Sequence, residues 1–161
     1  MFMVIRKISR FLFLSSTTKK IMLEAFIFLG WARILKLFPF SKISPSLGNK
    51  LEETTYHLNE THNETLKFIS SAIHIMSRYT WWESQCLVKA IAGMKMLERR
   101  QIDSTLYLGV AKDEAGKMIA HAWLRCGSYY VSGVEGMEKF TVVGMFAKRF
   151  NTNELVGGEH K

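Results

Sequence analysis

Two stretches of the chain decide its fold: QCLVKAIAGMKMLER at residues 85–99 and MIAHAWLRC at residues 118–126. In the first stretch, apolar side chains recur every three or four residues, which predicts an amphipathic helix. The second stretch is predicted as a β-strand, in which alternate side chains share a face. The two stretches therefore place Cys86 in the first turn of a helix and His121 in the middle of a strand that follows it.

Cys86 and His121 are the residue types that acyl transfer through a thioester requires. A cysteine attacks as its thiolate, and imidazole accepts a proton near neutral pH. A helix N-terminus adds partial positive charge, which also favours a thiolate. A lone cysteine in an apolar helix is more often inert core, and a lone histidine is more often structural. The joint placement of the two nevertheless predicts Cys86 as a nucleophile and His121 as its general base and acid.

Flanking patterns predict further helices and strands. Residues 21–38 are apolar on almost every side of a helix, and residues 64–79 carry one apolar stripe. After Asp103 the hydrophobic period changes to two, which predicts β-structure. The expected strands form an antiparallel meander over residues 105–110, 118–126, 129–134 and 139–146. Helices followed by an antiparallel β-sheet predict the α+β fold class.

The composition is that of a folded domain with a sizeable core. Of 161 residues, 48% are hydrophobic and only 2 are proline, which excludes disordered and low-complexity chains. The two cysteines, Cys86 and Cys126, lie 40 positions apart and predict neither a disulfide framework nor a CxxC metal site. His57, His62 and His74 lack a metal-ligand spacing, so no metal and no cofactor is predicted. Cys126 is expected to be a small core residue.

The net charge of +8 is concentrated in the first third of the chain. Residues 1–50 hold nine Lys and Arg residues against Glu24 alone, whereas residues 51–161 hold thirteen residues of each sign. The basic part is also the most apolar part, which favours an anionic membrane surface or an acidic protein partner over nucleic acid. The longest uncharged stretches in this basic part are eight residues long. A helix that spans a membrane needs roughly 20 apolar residues. We therefore predict a cytoplasmic protein, with the inner face of the membrane as a candidate contact.

A break is predicted after the first helix. Pro39 and the segment 43–48, which contains a second proline and a glycine, end the apolar pattern. We therefore expect a basic apolar helical arm over residues 1–45, a catalytic domain over 46–150 and a polar tail over 151–161. The helix in the arm lacks a continuous polar face, so its own domain, a partner protein or a lipid surface must cover it.

Residues near the two central side chains are candidates for supporting roles. Gln85 precedes the nucleophile, and its amide is a candidate donor to an oxyanion beside the Cys86 backbone N–H. A helix-start residue is the simpler interpretation of Gln85. Trp82 and Trp123 are candidate walls of a substrate cleft, although aromatic side chains are more commonly buried.

Three stretches together resemble the leader peptidases of lasso peptide biosynthesis, which are transglutaminase-like cysteine proteases. They are residues 82–90, 97–110 and 120–123, with the pattern CLV-A, then RR-I, then L-LGV, then HAW. The resemblance implies a papain- or transglutaminase-like fold and a cysteine protease similar to those that process microcin J25. Nothing in the sequence resembles the winged-helix recognition module that some members carry at the N-terminus. The resemblance therefore implies the standalone form of the peptidase.

The resemblance also implies a reaction and a set of partners. The substrate would be a precursor peptide, cut at its leader–core junction through a thioester that water clears. The freed core amine would pass to an asparagine-synthetase-like cyclase, which closes a macrolactam. A separate small protein would bind the leader.

One position departs from the family pattern. The family often carries, on the strand after the histidine, an aspartate that orients the imidazole; the corresponding position, twelve residues after His121, is Gly133. Glu135 is the candidate third member of the site, with Ser132 or the backbone as alternatives. Two other functions stay open. Because a thioester accepts an amine as well as water, the same residues could serve an amide acyltransferase. The missing aspartate and the basic apolar arm favour a non-catalytic or weakly active scaffold of a membrane-associated peptide maturation complex.

Overall fold

The structure, a computed structural model, describes residues 15–82 and 85–150 and consists of helices packed on one antiparallel sheet. The helices are α1 Ser16–Leu35, the short α2 Phe40–Ile43, α3 Asn63–Met76 and α4 Cys86–Glu98. Short 3₁₀ turns lie at Ser44–Leu47, Glu60–His62 and Met137–Lys139. The helices predicted at 64–79 and 85–99 are confirmed. The first helix is also confirmed, although it begins and ends earlier than predicted.

Five strands form the sheet in the order β1-β5-β2-β3-β4, and all neighbours are antiparallel. The strands are β1 Asn49–Lys50, β2 Ser104–Lys112, β3 Met118–Cys126, β4 Tyr129–Ser132 and β5 Thr141–Lys148. The α+β class is confirmed, but the predicted meander is wrong for its last strand. β5 pairs with β2 and not with β4, because the period-two pattern that predicts strands carries no information about their order.

α4 is the central helix of the core. It buries eight residues between α1, α3 and the sheet. Gly93 lies where α4 crosses the sheet: a Cβ there would lie 2.8 Å from Cδ2 of Leu124 and 3.0 Å from Cδ1 of Ile73. The missing side chain therefore lets the helix approach the strands closely. This close packing fixes the first turn of α4 relative to β3.

α1 belongs to the same core on one side. Ala25, Leu29 and Ala32 are fully buried and lie in one hydrophobic cluster with α4 and the sheet. Glu24 joins α1 to the end of α4 through two hydrogen bonds from Arg100, 2.9 and 2.7 Å long. The predicted boundary at residue 45 thus runs through a shared core, and α1 is a layer of the domain instead of an appended arm.

A strap at residues 53–56 covers the other face of the sheet. Arg125 is fully buried beneath it and donates to the carbonyl oxygens of Thr54 and Thr55 at 2.8 and 3.1 Å. Its guanidinium also pairs with Glu53 at 3.2 Å and lies 3.7 Å from the centre of the Tyr56 ring. A buried guanidinium is costly unless it is paired and hydrogen-bonded. These residues, together with Tyr107, form the Arg125 cluster, which locks the strap to the sheet.

None of the helices in the described ranges is both long enough and apolar enough to cross a membrane. The first 14 residues of the predicted basic arm and the polar tail predicted at 151–161 lie outside the described residues.

Candidate active site

Cys86 is the first residue of α4. Gln85 before it is extended, with φ −73° and ψ −179°, and its carbonyl accepts the first helical hydrogen bond from the Lys89 N–H at 3.0 Å. The N–H groups of a first helical turn have no acceptor within the helix, so they direct partial positive charge past its end. The half-buried side chain of Cys86 therefore lies at a helix end where anions are generally stabilised.

His121 lies in the middle of β3, and two aromatic rings pack against its imidazole. The ring centroids of Phe140 and Trp123 lie 5.0 and 5.9 Å from its own. Nε2 lies 2.8 Å from the carbonyl oxygen of Gly133. Because a carbonyl oxygen only accepts hydrogen bonds, Nε2 carries the hydrogen, and Nδ1 is the basic nitrogen of the neutral ring. The imidazole is thus fixed in both orientation and tautomer.

Cys86 and His121 line one cleft of about 470 Å³. Residues of α3, of α4 and of β4 with the loop after it complete the lining. They are Ser70, Ser71, Ile73, His74, Lys89 and residues 130–135. The packing of α4 across the sheet therefore brings to one cavity the two side chains that the sequence pattern predicts as a pair.

Gly133 occupies the position at which the resemblance implies an aspartate. Its φ is +74°, a left-handed conformation, and a Cβ at this position would lie 2.3 Å from the carbonyl oxygen of Ala122 and 3.0 Å from Cα of Trp123. No side chain fits there without a shift of the backbone. The main-chain carbonyl of Gly133 takes the place where a carboxylate would accept the imidazole N–H.

Ser132 and Glu135, the other candidates for the third position, also line the cleft. The Ser132 hydroxyl is buried and has no hydrogen-bond partner among the described residues, and Glu135 is exposed. The hydrogen bond of the imidazole goes to Gly133. Of the three alternatives, the geometry therefore corresponds to the backbone acceptor.

A stack of aromatic rings supports His121 from the side of the sheet that the strap covers. The rings of Trp123 and Tyr107 have centroids 5.5 Å apart and planes 10° apart. Gly109 pairs with His121 across the two strands, and a Cβ there would lie 2.9 Å from the Trp123 ring. Glycine is thus required for Trp123 to occupy this position. Tyr107 accepts a hydrogen bond from Nε of Arg125 at 2.8 Å, so the stack joins His121 to the Arg125 cluster.

Two acid–base groups of the Arg125 cluster have pKa values that are shifted in opposite directions. The hydrogen bond from Tyr107 lowers the pKa of Glu53 and outweighs the opposing effect of burial; Tyr56 and Arg125 lower it further. Burial raises the pKa of Tyr107, and its hydrogen bond to Glu53 raises it further. At neutral pH Glu53 is therefore a carboxylate and Tyr107 a neutral phenol, the states that the ion pair with Arg125 needs.

The two tryptophans predicted as cleft walls lie elsewhere. Trp123 is 5% exposed and packs against His121, while the Trp82 ring lies 5.3 Å from that of Phe26 in α1. Neither belongs to the cleft lining that the described residues form, and the exposed Gln85 does not belong to it either. Both indole rings pack against other aromatic rings instead.

Cys126 is a core residue, as predicted. It is 4% exposed, and burial raises the pKa of its thiol to about 11, with the nearby Asp103 charge adding to the effect. The second cysteine is therefore an unreactive thiol at neutral pH.

Lys89, Ser70 and His74 line the cleft although the sequence pattern did not single them out. Lys89 follows Cys86 by three positions in α4, so helical periodicity could have placed it on the same face. No comparable signal marks Ser70 and His74, because only tertiary packing brings α3 beside the start of α4. Within residues 15–82 and 85–150, no three His, Cys, Asp or Glu side chains are grouped to hold a metal ion.

A cysteine at a helix start and a histidine on an antiparallel sheet, sharing one cleft, define a class of thiol-dependent acyl-transfer sites. A family model described as the transglutaminase-like superfamily matches residues 25–145, a range that contains both side chains. The chain belongs to the transglutaminase-like superfamily, and this membership points to an activity of the cysteine protease or acyltransferase type. No curated protein and no solved structure matches the chain.

Proposed function

We propose that this protein is a cysteine peptidase that removes the leader from a lasso peptide precursor. Membership of the transglutaminase-like superfamily supports the reaction type, and the motif pattern around residues 82–123 supports the substrate class by resemblance. The observation that carries the proposal is the shared cleft of Cys86 and His121, in which Nε2 of His121 is already committed to Gly133. That commitment leaves Nδ1 available to accept the proton of the thiol.

The acylation step follows from this arrangement. Nδ1 of His121 accepts the thiol proton, and the sulfur of Cys86 attacks the carbonyl carbon at the leader–core junction. The Cys86 N–H, at the start of α4, is the natural donor to the oxyanion, and Gln85 is a candidate for a second donor. When the intermediate collapses, the C–N bond breaks and His121 returns its proton to the leaving amine. The core peptide departs, and the leader remains as a thioester on Cys86.

The deacylation step restores the enzyme. Nδ1 of His121 accepts a proton from water, the hydroxide oxygen attacks the thioester carbonyl, and the C–S bond breaks. The sulfur regains the proton from His121, and the leader leaves with a free carboxylate. The freed amine of the core peptide is then the nucleophile that an asparagine-synthetase-like cyclase would join to a side-chain carboxylate. A separate leader-binding protein is the proposed partner for substrate delivery, in the cytoplasm.

The test is cleavage of a synthetic precursor by the purified full chain, followed by mass spectrometry with and without the leader-binding protein. We expect the leader and core peptides as products, no cleavage by Cys86→Ala, and near wild-type cleavage by Cys126→Ala. The Cys126 variant is the matched control, because it removes the only other thiol of the chain.

Two outcomes would replace the proposal. Incorporation of a labelled amine at the leader carboxyl, in preference to water, would indicate an amide acyltransferase. No precursor cleavage under either condition, together with slow alkylation of Cys86 by iodoacetamide at about pH 6, would indicate a scaffold without catalysis.

A further inference from the structure

The outward side of α1 is apolar. Ala25, Leu29 and Ala32 face the core, and at 100° per residue the opposite side of the helix carries Leu23, Ile27 and Ile34. These three side chains are 57–59% exposed. A helix on the surface of a soluble domain normally places polar residues on this side. α1 therefore has two apolar sides, of which its own domain covers one.

The exposed apolar surface continues past the end of the helix. Leu37 and Phe38 are 73% and 53% exposed. We call the outward residues of this segment the α1 ridge: Leu23, Ile27, Ile34, Leu37 and Phe38. Several large apolar side chains exposed on one segment of the surface mark an interaction site.

A groove beside the α1 ridge adds positive charge to the apolar surface. It lies between α1 and α3, has a volume of about 710 Å³, and includes the apolar side chains of Leu23, Ile27 and Phe68. Lys20 and Arg99 are exposed and line the same groove. Apolar side chains beside two exposed cations suit a molecule that is itself an anion attached to a hydrocarbon chain.

The acidic residues of the groove are already neutralised within the protein. Glu24 accepts hydrogen bonds from Arg100 at 2.7 and 2.9 Å and lies 3.7 Å from Nη1 of Arg99, whose side chain is still 62% exposed. Glu64 pairs with Lys67 at 3.2 Å. Over residues 15–50 the sequence holds six Lys and Arg residues against Glu24 alone. The charge of this part of the surface is therefore strongly positive.

We infer that the α1 ridge docks on an anionic lipid bilayer, with α1 lying in the plane of the interface. Its Leu, Ile and Phe side chains would enter the boundary between headgroups and acyl chains, while Lys20 and Arg99 meet lipid phosphates. The positive charge matches an anionic headgroup surface, and the ridge supplies the apolar area that charge alone lacks. This contact is peripheral, and it does not depend on the chemistry at Cys86.

The test is sedimentation of the full chain with lipid vesicles, either phosphatidylcholine alone or with about 30% phosphatidylglycerol. We expect binding to the anionic vesicles only, weakening as salt rises from about 0.05 to 0.5 M because exposed charges are screened. The double variant Leu23→Ser/Ile27→Ser should bind at least about tenfold more weakly. Lys20→Glu should weaken binding by about fivefold or more, since each cation near an anionic surface contributes roughly that factor.

Val143→Ser is the matched control, because Val143 is equally exposed, at 60%, but lies on β5. It should bind as the wild type does. Because the substituted side chains are exposed, circular dichroism should show the same fold in every variant. Equal binding to both kinds of vesicle, no binding to either, or unchanged binding by the ridge variant would each overturn the inference. Dimerisation without lipid that the ridge variant abolishes would also overturn it and assign the ridge to a protein interface.

Discussion

Gly133 is the residue on which the geometry of the candidate site depends most directly. Its left-handed backbone presents the carbonyl oxygen to Nε2 of His121 at 2.8 Å. An aspartate here would need a Cβ in the space that the carbonyl oxygen of Ala122 already fills, 2.3 Å away. The imidazole therefore uses a main-chain acceptor and not a side-chain acceptor. A single substitution cannot replace this acceptor with an aspartate, because the two acceptors require different backbones.

We expect Gly133→Ala and Gly133→Asp each to lower kcat for precursor cleavage by at least about tenfold, because the backbone must move and takes its carbonyl with it. The aspartate should not restore activity. Gly136→Ala is the matched control: its φ is +75°, but nothing lies within 4 Å of the added Cβ. It should cost about 1 kcal/mol of stability and leave kcat unchanged. Full activity in Gly133→Asp would contradict this account, as would an equal loss in Gly136→Ala.

The two cysteines should differ sharply in reactivity. Burial raises the pKa of Cys126 to about 11, so at pH 7 only about one thiol in 10⁴ is ionised, and the side chain is covered as well. We expect iodoacetamide to add one carbamidomethyl group to the folded wild type and none to folded Cys86→Ala, as measured by intact-mass spectrometry. Unfolding in guanidinium should add one further group to each protein, because Cys126 then becomes accessible. Alkylation of Cys126 in the folded protein would contradict this prediction, because it would show that the end of β3 is accessible to solvent.

At the scale of secondary-structure elements, β2 and β3 together build the support of the imidazole. Gly109 on β2 leaves space beside His121, and Trp123 on β3 fills it and stacks on Tyr107. The support is therefore a property of the register between two strands. A one-residue slip would move His121 to the other face of the sheet.

Trp123 is predicted to be a positioning residue. Trp123→Leu should lower kcat by about tenfold or more and leave KM unchanged, because the ring supports His121 but does not line the cleft. It should also cost about 2 kcal/mol or more of stability. Trp123→Phe keeps an aromatic ring in the stack and should recover part of kcat. Steady-state kinetics with thermal unfolding would check this; a raised KM with unchanged kcat would assign Trp123 to substrate binding instead.

At the scale of the whole molecule, the Arg125 cluster joins the strap at residues 53–56 to both central strands. The hydrogen bond from Tyr107 is the main cause of the lowered pKa of Glu53. A carboxyl group whose pKa is lower in the folded state than in the unfolded state stabilises the fold above its unfolded pKa, near 4.5. That contribution is lost as the pH falls through the folded pKa. Stability should therefore decline below about pH 4.5.

Glu53→Gln tests this contribution. At pH 7 we expect a loss of about 1–2 kcal/mol, reduced from the value of a fully buried pair because Glu53 is 37% exposed. As the pH falls from 7 to about 3, the difference in Tm between variant and wild type should shrink, because the wild-type carboxylate is protonated as well. Glu64→Gln, in an exposed pair, is the control and should change Tm little at any pH. A pH-independent difference would assign the effect of Glu53 to packing.

The sequence by itself determined the local elements and the two central side chains. α4 and β3 lie within a residue or so of their predicted limits, because their hydrophobic periods are strong and each element obeys rules local to the chain. Cys86 and His121 were predicted as a pair from residue chemistry and those elements. Cys126 was predicted as core because it lies five residues beyond His121 in the same strand and so faces the opposite side of the sheet.

Only the tertiary structure decided which strands, helices and loops are neighbours. The position of β5 next to β2, the strap over Arg125 and the arrival of α3 at the cleft depend on contacts between distant segments, and no local period encodes them. The hydrogen-bond acceptor of His121 is also decided by the tertiary structure. A backbone carbonyl is present at every residue, so sequence cannot single out Gly133 until the fold gives it a φ of +74° beside β3. Side-chain chemistry can be read along a chain, whereas main-chain chemistry acquires its role only from position in space.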